Sequence, residues 1–142
     1  MKLRLACAGK IREKALREVA DDYLGRIARF VRVEEIETKD ELGLARVVPE
    51  GARLVALEVW GEGLSSEAFA RKLESWGSTG KGEVCFVLGA ADGIPRDLSQ
   101  RAHFHLSLST MTLPHRLARV VLLEQIYRGL SILRGEPYAR EG

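Results

Sequence analysis

The chain is 142 residues long, 46% hydrophobic and 30% charged, with 14 glycines and 4 prolines, which suits one globular domain and excludes disorder or a low-complexity linker. A net charge of only +2 excludes bulk basicity as a means of holding nucleic acid. No apolar run reaches the roughly 18 residues of a membrane span, and Lys2 and Arg4 interrupt the first apolar stretch where a signal peptide needs continuity, so a soluble, cytoplasmic protein with no membrane partner is expected.

Lys2–Ala8 is short, apolar and followed by Gly9, which predicts a buried first strand. From Glu13 to Arg29, Leu16, Val19, Ala20, Tyr23, Leu24, Ile27 and Ala28 recur at three- and four-residue steps opposite Arg17, Asp21, Asp22 and Arg26, the pattern of a helix that packs by one stripe. Val31–Ile36 predicts a second strand. Charge is segregated here, with nine basic and four acidic side chains in residues 1–32 against two basic and six acidic in residues 33–50. Arginine outnumbers lysine 16 to 6; its planar fork suits phosphate, although solvated helix faces account for the same composition.

Asp40–Val47 predicts an acidic turn or short helix before Pro49 and Gly51. Arg53–Val59 is a third predicted strand, ended by Gly61 and Gly63. Ser65 or Ser66 then caps a helix through Phe69, Leu73 and Trp76, closed by Gly77, Gly80 and Gly82. Val84–Leu88 is a fourth strand, apolar throughout. Beyond Gly89–Pro95 follow a short helix to Ala102, a fifth strand around Phe104–Leu108 and a long helix from Pro114 to about Leu133. Strands alternating with helices predict the α/β class: a parallel sheet with helices on both faces, in a single domain over 1–142 without internal repeat. Leu117, Val120, Val121, Leu122, Leu123, Ile126, Tyr127, Leu130 and Leu133 cover more of the last helix than the roughly 100° stripe that one sheet needs. A second copy of this helix is expected to cover the surplus in a twofold homodimer, with Leu123 and Ile126 in the interface; the alternative is an ordinary wide core face with Arg116, Arg119, Glu124 and Arg128 outside.

Ligands of open parallel sheets bind beyond the carboxyl ends of the strands, where Leu57–Gly63, Gly89–Pro95 and Leu108–Pro114 converge. Ser107, Ser109, Thr110 and Thr112 give this region neutral donors and acceptors that suit a nucleoside. A triphosphate is disfavoured, because no G-x-x-x-x-G-K-[ST] element is present and Gly89–Gly93 does not match G-x-G-x-x-G. His103 and His105 share one strand face, but no third ligand stands at a telling spacing, so no metal is expected. His115, at the start of a helix, suits a capping or core role as well as a functional one. Cys7 and Cys85 have neither a partnered histidine nor the number for a disulfide framework.

The stretch Phe86-Val87-Leu88-Gly89-Ala90-Ala91-Asp92-Gly93, the run from Leu106 to Arg119 containing Thr112-Leu113-Pro114-His115, then Leu123-Glu124-Gln125-Ile126-Tyr127-Arg128 and Pro137-Tyr138 closely resemble the SPOUT-class methyltransferase H family. The similarity is densest over residues 84–138, and the amino half agrees in element order. The resemblance implies a carboxyl-terminal trefoil knot, which sequence physics alone would not suggest. It also implies S-adenosylmethionine bound within that knot, an obligate homodimer, and methylation of N3 of a pseudouridine in 23S ribosomal RNA, within the ribosome. Carried over by residue, the cofactor contacts fall on Leu57, Gly89, Leu108, Ser109, Thr110, Met111, Thr112 and Leu113, and the catalytic candidates are Tyr138, Arg140 and His115. Two positions depart from the family pattern. Ala90 replaces a glycine, which is tolerated unless the backbone there needs positive φ. Ala139 replaces a tail histidine, which bears on the substrate step and leaves open a non-catalytic RNA- or ribosome-binding module of the same fold. A flavodoxin-like nucleotide binder is disfavoured by the missing phosphate-loop chemistry.

Overall fold

A computed structural model describes residues 1–142. Five strands, β1 (Lys2–Ala8), β2 (Arg32–Thr38), β3 (Arg53–Gly63), β4 (Glu83–Leu88) and β5 (Phe104–Ser107), form one sheet in the order β2-β1-β4-β3-β5, parallel at every pairing. The helices are α1 (Lys14–Ala28), α2 (Ser66–Gly77), α3 (Arg96–Gln100) and α4 (His115–Arg134). Local chemistry sets their ends. The Ser65 hydroxyl caps α2 by accepting from the Ala68 amide at 3.0 Å, Pro114 precedes α4, and Gly135 ends α4 at φ 67°, where a side chain would be strained.

The two sheet faces are covered unequally. Leu3, Leu5 and Cys7 of β1, with Val84, Phe86 and Leu88 of β4, face α1, α2 and α4. On the other side Ala6, Ala8, Leu54, Cys85 and Val87 pack with Ala52, with Leu44 from a 3-10 segment at Glu41–Val47 and with Leu98 of α3, a smaller cluster edged by partly buried Val47, Val48, Ala90, Ile94 and Ala102. The Asp40 carboxylate caps that 3-10 segment through the Leu42 amide at 3.1 Å, which is the form the expected acidic turn takes. Burial pushes the thiols of Cys7 and Cys85 up to about 12, so both are inert at neutral pH.

Two expectations are corrected. α4 packs against α1 on one side and α2 on the other as well as on the sheet. Its broad apolar surface is therefore used within the chain, and Leu123 and Ile126 are core residues with no exposed surface, not interface residues. Leu117 and Val121, one helical turn apart, are the apolar side chains α4 leaves exposed. Strand β3 also does not stop at Val59. Leu57 and Glu62 both pair with Leu106, so residues 58–61 loop out of the ladder before β3 resumes to Gly63.

The acidic stretch after residue 33 is the counter-charge to the basic amino terminus. Arg4 Nε donates to Glu34 at 2.8 Å. Arg119 of α4, buried to 1% exposure, pairs with Glu35 at 3.0 Å and with Glu37, and donates to the Gly9 carbonyl at 3.0 Å. Arg17 of α1 reaches the same two carboxylates at 2.7 and 3.3 Å. Two guanidiniums thus neutralise two carboxylates and tie α1, α4 and the ends of β1 and β2 together. Removing one member of such a buried set typically costs about 3–5 kcal/mol, because the others stay buried without compensation.

Candidate active site

The carboxyl ends of β3, β4 and β5 open onto a cleft of about 510 Å³, within the range of small-molecule sites. Three segments build it: the looped-out part of β3, the turn after β4, and the connection from β5 to α4. Leu57, Gly89, Leu108 and Ser109 line it, as do Met111, Thr112, Leu113 and His115. Thr110 is exposed on the same connection without lining the cleft.

Gly89 is dictated by the turn. A Cβ there would overlap the carbonyl group of Gly93, because the chain folds back at once: the Gly93 amide bonds the Ala90 carbonyl at 3.0 Å and Gly93 itself has φ 75°. Ala90 needs no glycine, since no residue other than glycine has positive φ. After β5, the Ser107 hydroxyl donates to the Ser109 carbonyl at 3.0 Å and the Ser109 hydroxyl accepts from the Met111 amide at 2.9 Å. These bonds hold the connection in a compact turn over the cleft.

The walls are mostly apolar, and no lysine or arginine is among them. The carboxylate at the rim is Glu58, which accepts from the Ser99 hydroxyl at 2.8 Å and lies 3.7 Å from His105 Nε2. A cavity with neutral hydroxyls, apolar walls and one carboxylate fits a nucleoside bearing a positive sulfonium, and does not fit a polyphosphate. Residues 57–63 were legible as a strand-end loop, yet Glu58 and Trp60 were not legible as lining residues, because the looped-out geometry that presents them is tertiary. His103 and His105 have partners within the protein: His103 Nδ1 accepts from the Leu54 amide at 2.9 Å, and His105 Nε2 lies 2.8 Å from the Ser99 carbonyl.

Tyr138 and Arg140 do not line this cleft. They sit in a 3-10 turn at Pro137–Arg140 that docks on α4. The Tyr138 hydroxyl donates to Glu124 at 2.8 Å and shares a 3.0 Å hydrogen bond with Tyr23, and its ring packs 4.6 Å from that of Tyr127. Burial and these hydrogen bonds push the phenol well above its ordinary value, so it keeps its proton. Arg140 is exposed.

Residues 1–139 match the family model described as predicted SPOUT methyltransferase. The chain belongs to the SPOUT methyltransferase family. Among similar SPOUT relatives, ribosomal RNA large subunit methyltransferase H of Sorangium cellulosum is 52% identical, over 98% of this chain and 99% of its own. The protein of the same name from Acetivibrio thermocellus is 41% identical, over 99% of this chain and 100% of its own. Two solved structures share the SPOUT fold. A probable methylase family protein from Haemophilus influenzae Rd KW20 superposes with a TM-score of 0.58 at 11% identity, covering 99% of this chain and 70% of that one. An AdoMet-bound rRNA methyltransferase from Sinorhizobium meliloti gives 0.50 at 14% identity, covering 89% and 56%.

Proposed function

We propose that this single-domain cytoplasmic protein transfers a methyl group from S-adenosylmethionine to N3 of a pseudouridine in 23S ribosomal RNA, acting on the ribosome as a homodimer with its carboxyl-terminal segment threaded as a trefoil knot. One observation carries the reading: seven of the eight residues carried over as cofactor contacts converge on one cleft whose lining holds no cationic side chain. Similarity to the methyltransferase H relatives, 52% and 41% identity over nearly the full length, supports the choice of RNA substrate.

S-adenosylmethionine supplies an already activated methyl group, so the protein's task is alignment and proton management. Leu57, Leu108 and Leu113 give the nucleoside apolar walls that exclude water, and Ser109 and Thr112 orient its polar atoms. Alignment of this kind supplies up to roughly 7–11 kcal/mol of the barrier. His115, which lines the cleft, accepts the N3 proton. As that proton leaves, charge spreads onto the flanking carbonyl oxygens, which Arg140 stabilises, while Tyr138, whose proton is committed to Glu124, anchors the tail that carries Arg140. The tail does not line the cleft of its own chain, and in the proposed homodimer it acts in the partner's. Leu117 and Val121 are the apolar surface on α4 that remains for a partner.

Calorimetric titration of the folded protein with S-adenosylmethionine tests the reading. Saturable binding is expected at one or both subunits, and absence of binding would leave the non-catalytic RNA-binding module as the better account.

A further inference from the structure

Trp60 is 67% exposed, an unusual state for a side chain that carries roughly 150–250 Å² of largely apolar surface. It is nevertheless held in place. Residues 58–61 stand out of the β3–β5 ladder, whose register shifts between Leu57 and Glu62 so that both pair with Leu106. Gly61 crosses the next strand so closely that a Cβ there would lie 2.6 Å from the His105 carbonyl oxygen. The His105 ring lies 4.7 Å from the Trp60 ring, tilted by 36°, and is itself pinned to the Ser99 carbonyl. Trp60 therefore backs onto a fixed imidazole and leaves the rest of its indole open at the mouth of the cleft, where exposed Val59 and Met111 also stand.

We infer that Trp60 is a stacking platform for a nucleobase of the RNA substrate, set beside the methyl donor. The inference rests on the function proposed above and adds the group that grips the base. Leu88, Gly89 and Leu106 make the inner part of the cleft, whereas Trp60 and Met111 make its open rim, the side from which a strand of RNA approaches. Proteins that act on single-stranded or extruded bases hold them on aromatic faces, and such stacking does not depend on base identity. Trp60 thus contributes grip, while selection of the target is left to other contacts.

The test uses the full chain with oligouridylate as the RNA probe and S-adenosylmethionine as the cofactor probe. Trp60→Ala should weaken oligouridylate binding roughly five- to 150-fold while cofactor affinity stays within about twofold. Trp60→Phe, which keeps a ring, should recover most of the loss. Indole emission should be quenched by oligouridylate in the parent but not in Trp60→Phe, where only the buried Trp76 emits. Unchanged RNA affinity in Trp60→Ala, a loss confined to the cofactor, no oligouridylate binding by the parent, or dissociation of the dimer in step with the loss would each overturn the inference. Failure of the parent to bind S-adenosylmethionine overturns the methyltransferase reading instead, and the oligouridylate arm still reports on Trp60.

Discussion

Gly89 and Arg140 divide the proposed chemistry between cofactor and substrate. At position 89 even one methyl group would meet the backbone of Gly93, and backbone cannot swing aside as a side chain can, so the turn that walls the cleft must move. Gly89→Ala should lower S-adenosylmethionine affinity about tenfold or more, read by calorimetry, while the fold, resting on buried β4, persists. Arg140→Ala should do the reverse: methylation falls by roughly 10²–10³-fold, as when a charge-stabilising donor is removed, and cofactor affinity hardly changes. Ala139→His should raise the rate or leave it alone, since general-base assistance adds to alignment without replacing it. Parental methylation by Arg140→Ala would remove the tail from the active site.

Among the secondary elements, α4 shows best what sequence pattern can and cannot carry. Its length, its start after Pro114 and its wide apolar surface were all legible, because 3.6-residue periodicity and capping are local. Which neighbours use that surface was not, since the pattern records the breadth of burial and not the owner of the covering side chains. Arg119 reads in sequence as a solvent-facing cation of α4, yet it lies in the core because its counter-ions, Glu35 and Glu37, stand more than 80 residues away along the chain. The three loops of the cleft were legible from strand ends followed by small residues. The looped-out turn of β3 was not, for it depends on Gly61 meeting the backbone of β5. Leu123→Ala should destabilise the fold by about 2–5 kcal/mol in denaturant unfolding. Val121→Glu, on the exposed side of α4, should leave unfolding nearly unchanged and dissociate the proposed dimer in analytical ultracentrifugation. A Val121→Glu protein that stays dimeric would place the interface elsewhere.

Across the whole molecule, segregated charge is recombined in space. The basic amino terminus and the acidic stretch that follows it face each other across α1, β1, β2 and α4, and that pairing fixes the helix whose first turn walls the cleft. What remains is a mostly apolar cleft with hydroxyl donors, a carboxylate at one rim and an exposed indole at another, a composition suited to bringing a sulfonium methyl group against a base. Transfer of labelled methyl from S-adenosylmethionine to ribosomes lacking the modification, with the product nucleoside identified by mass spectrometry, tests this account most directly. Up to one methyl group per large subunit is expected, on N3 of a pseudouridine of 23S ribosomal RNA, reduced in proportion to cofactor affinity by Gly89→Ala. Binding of ribosomes and cofactor without transfer, or transfer to any other atom, would contradict it.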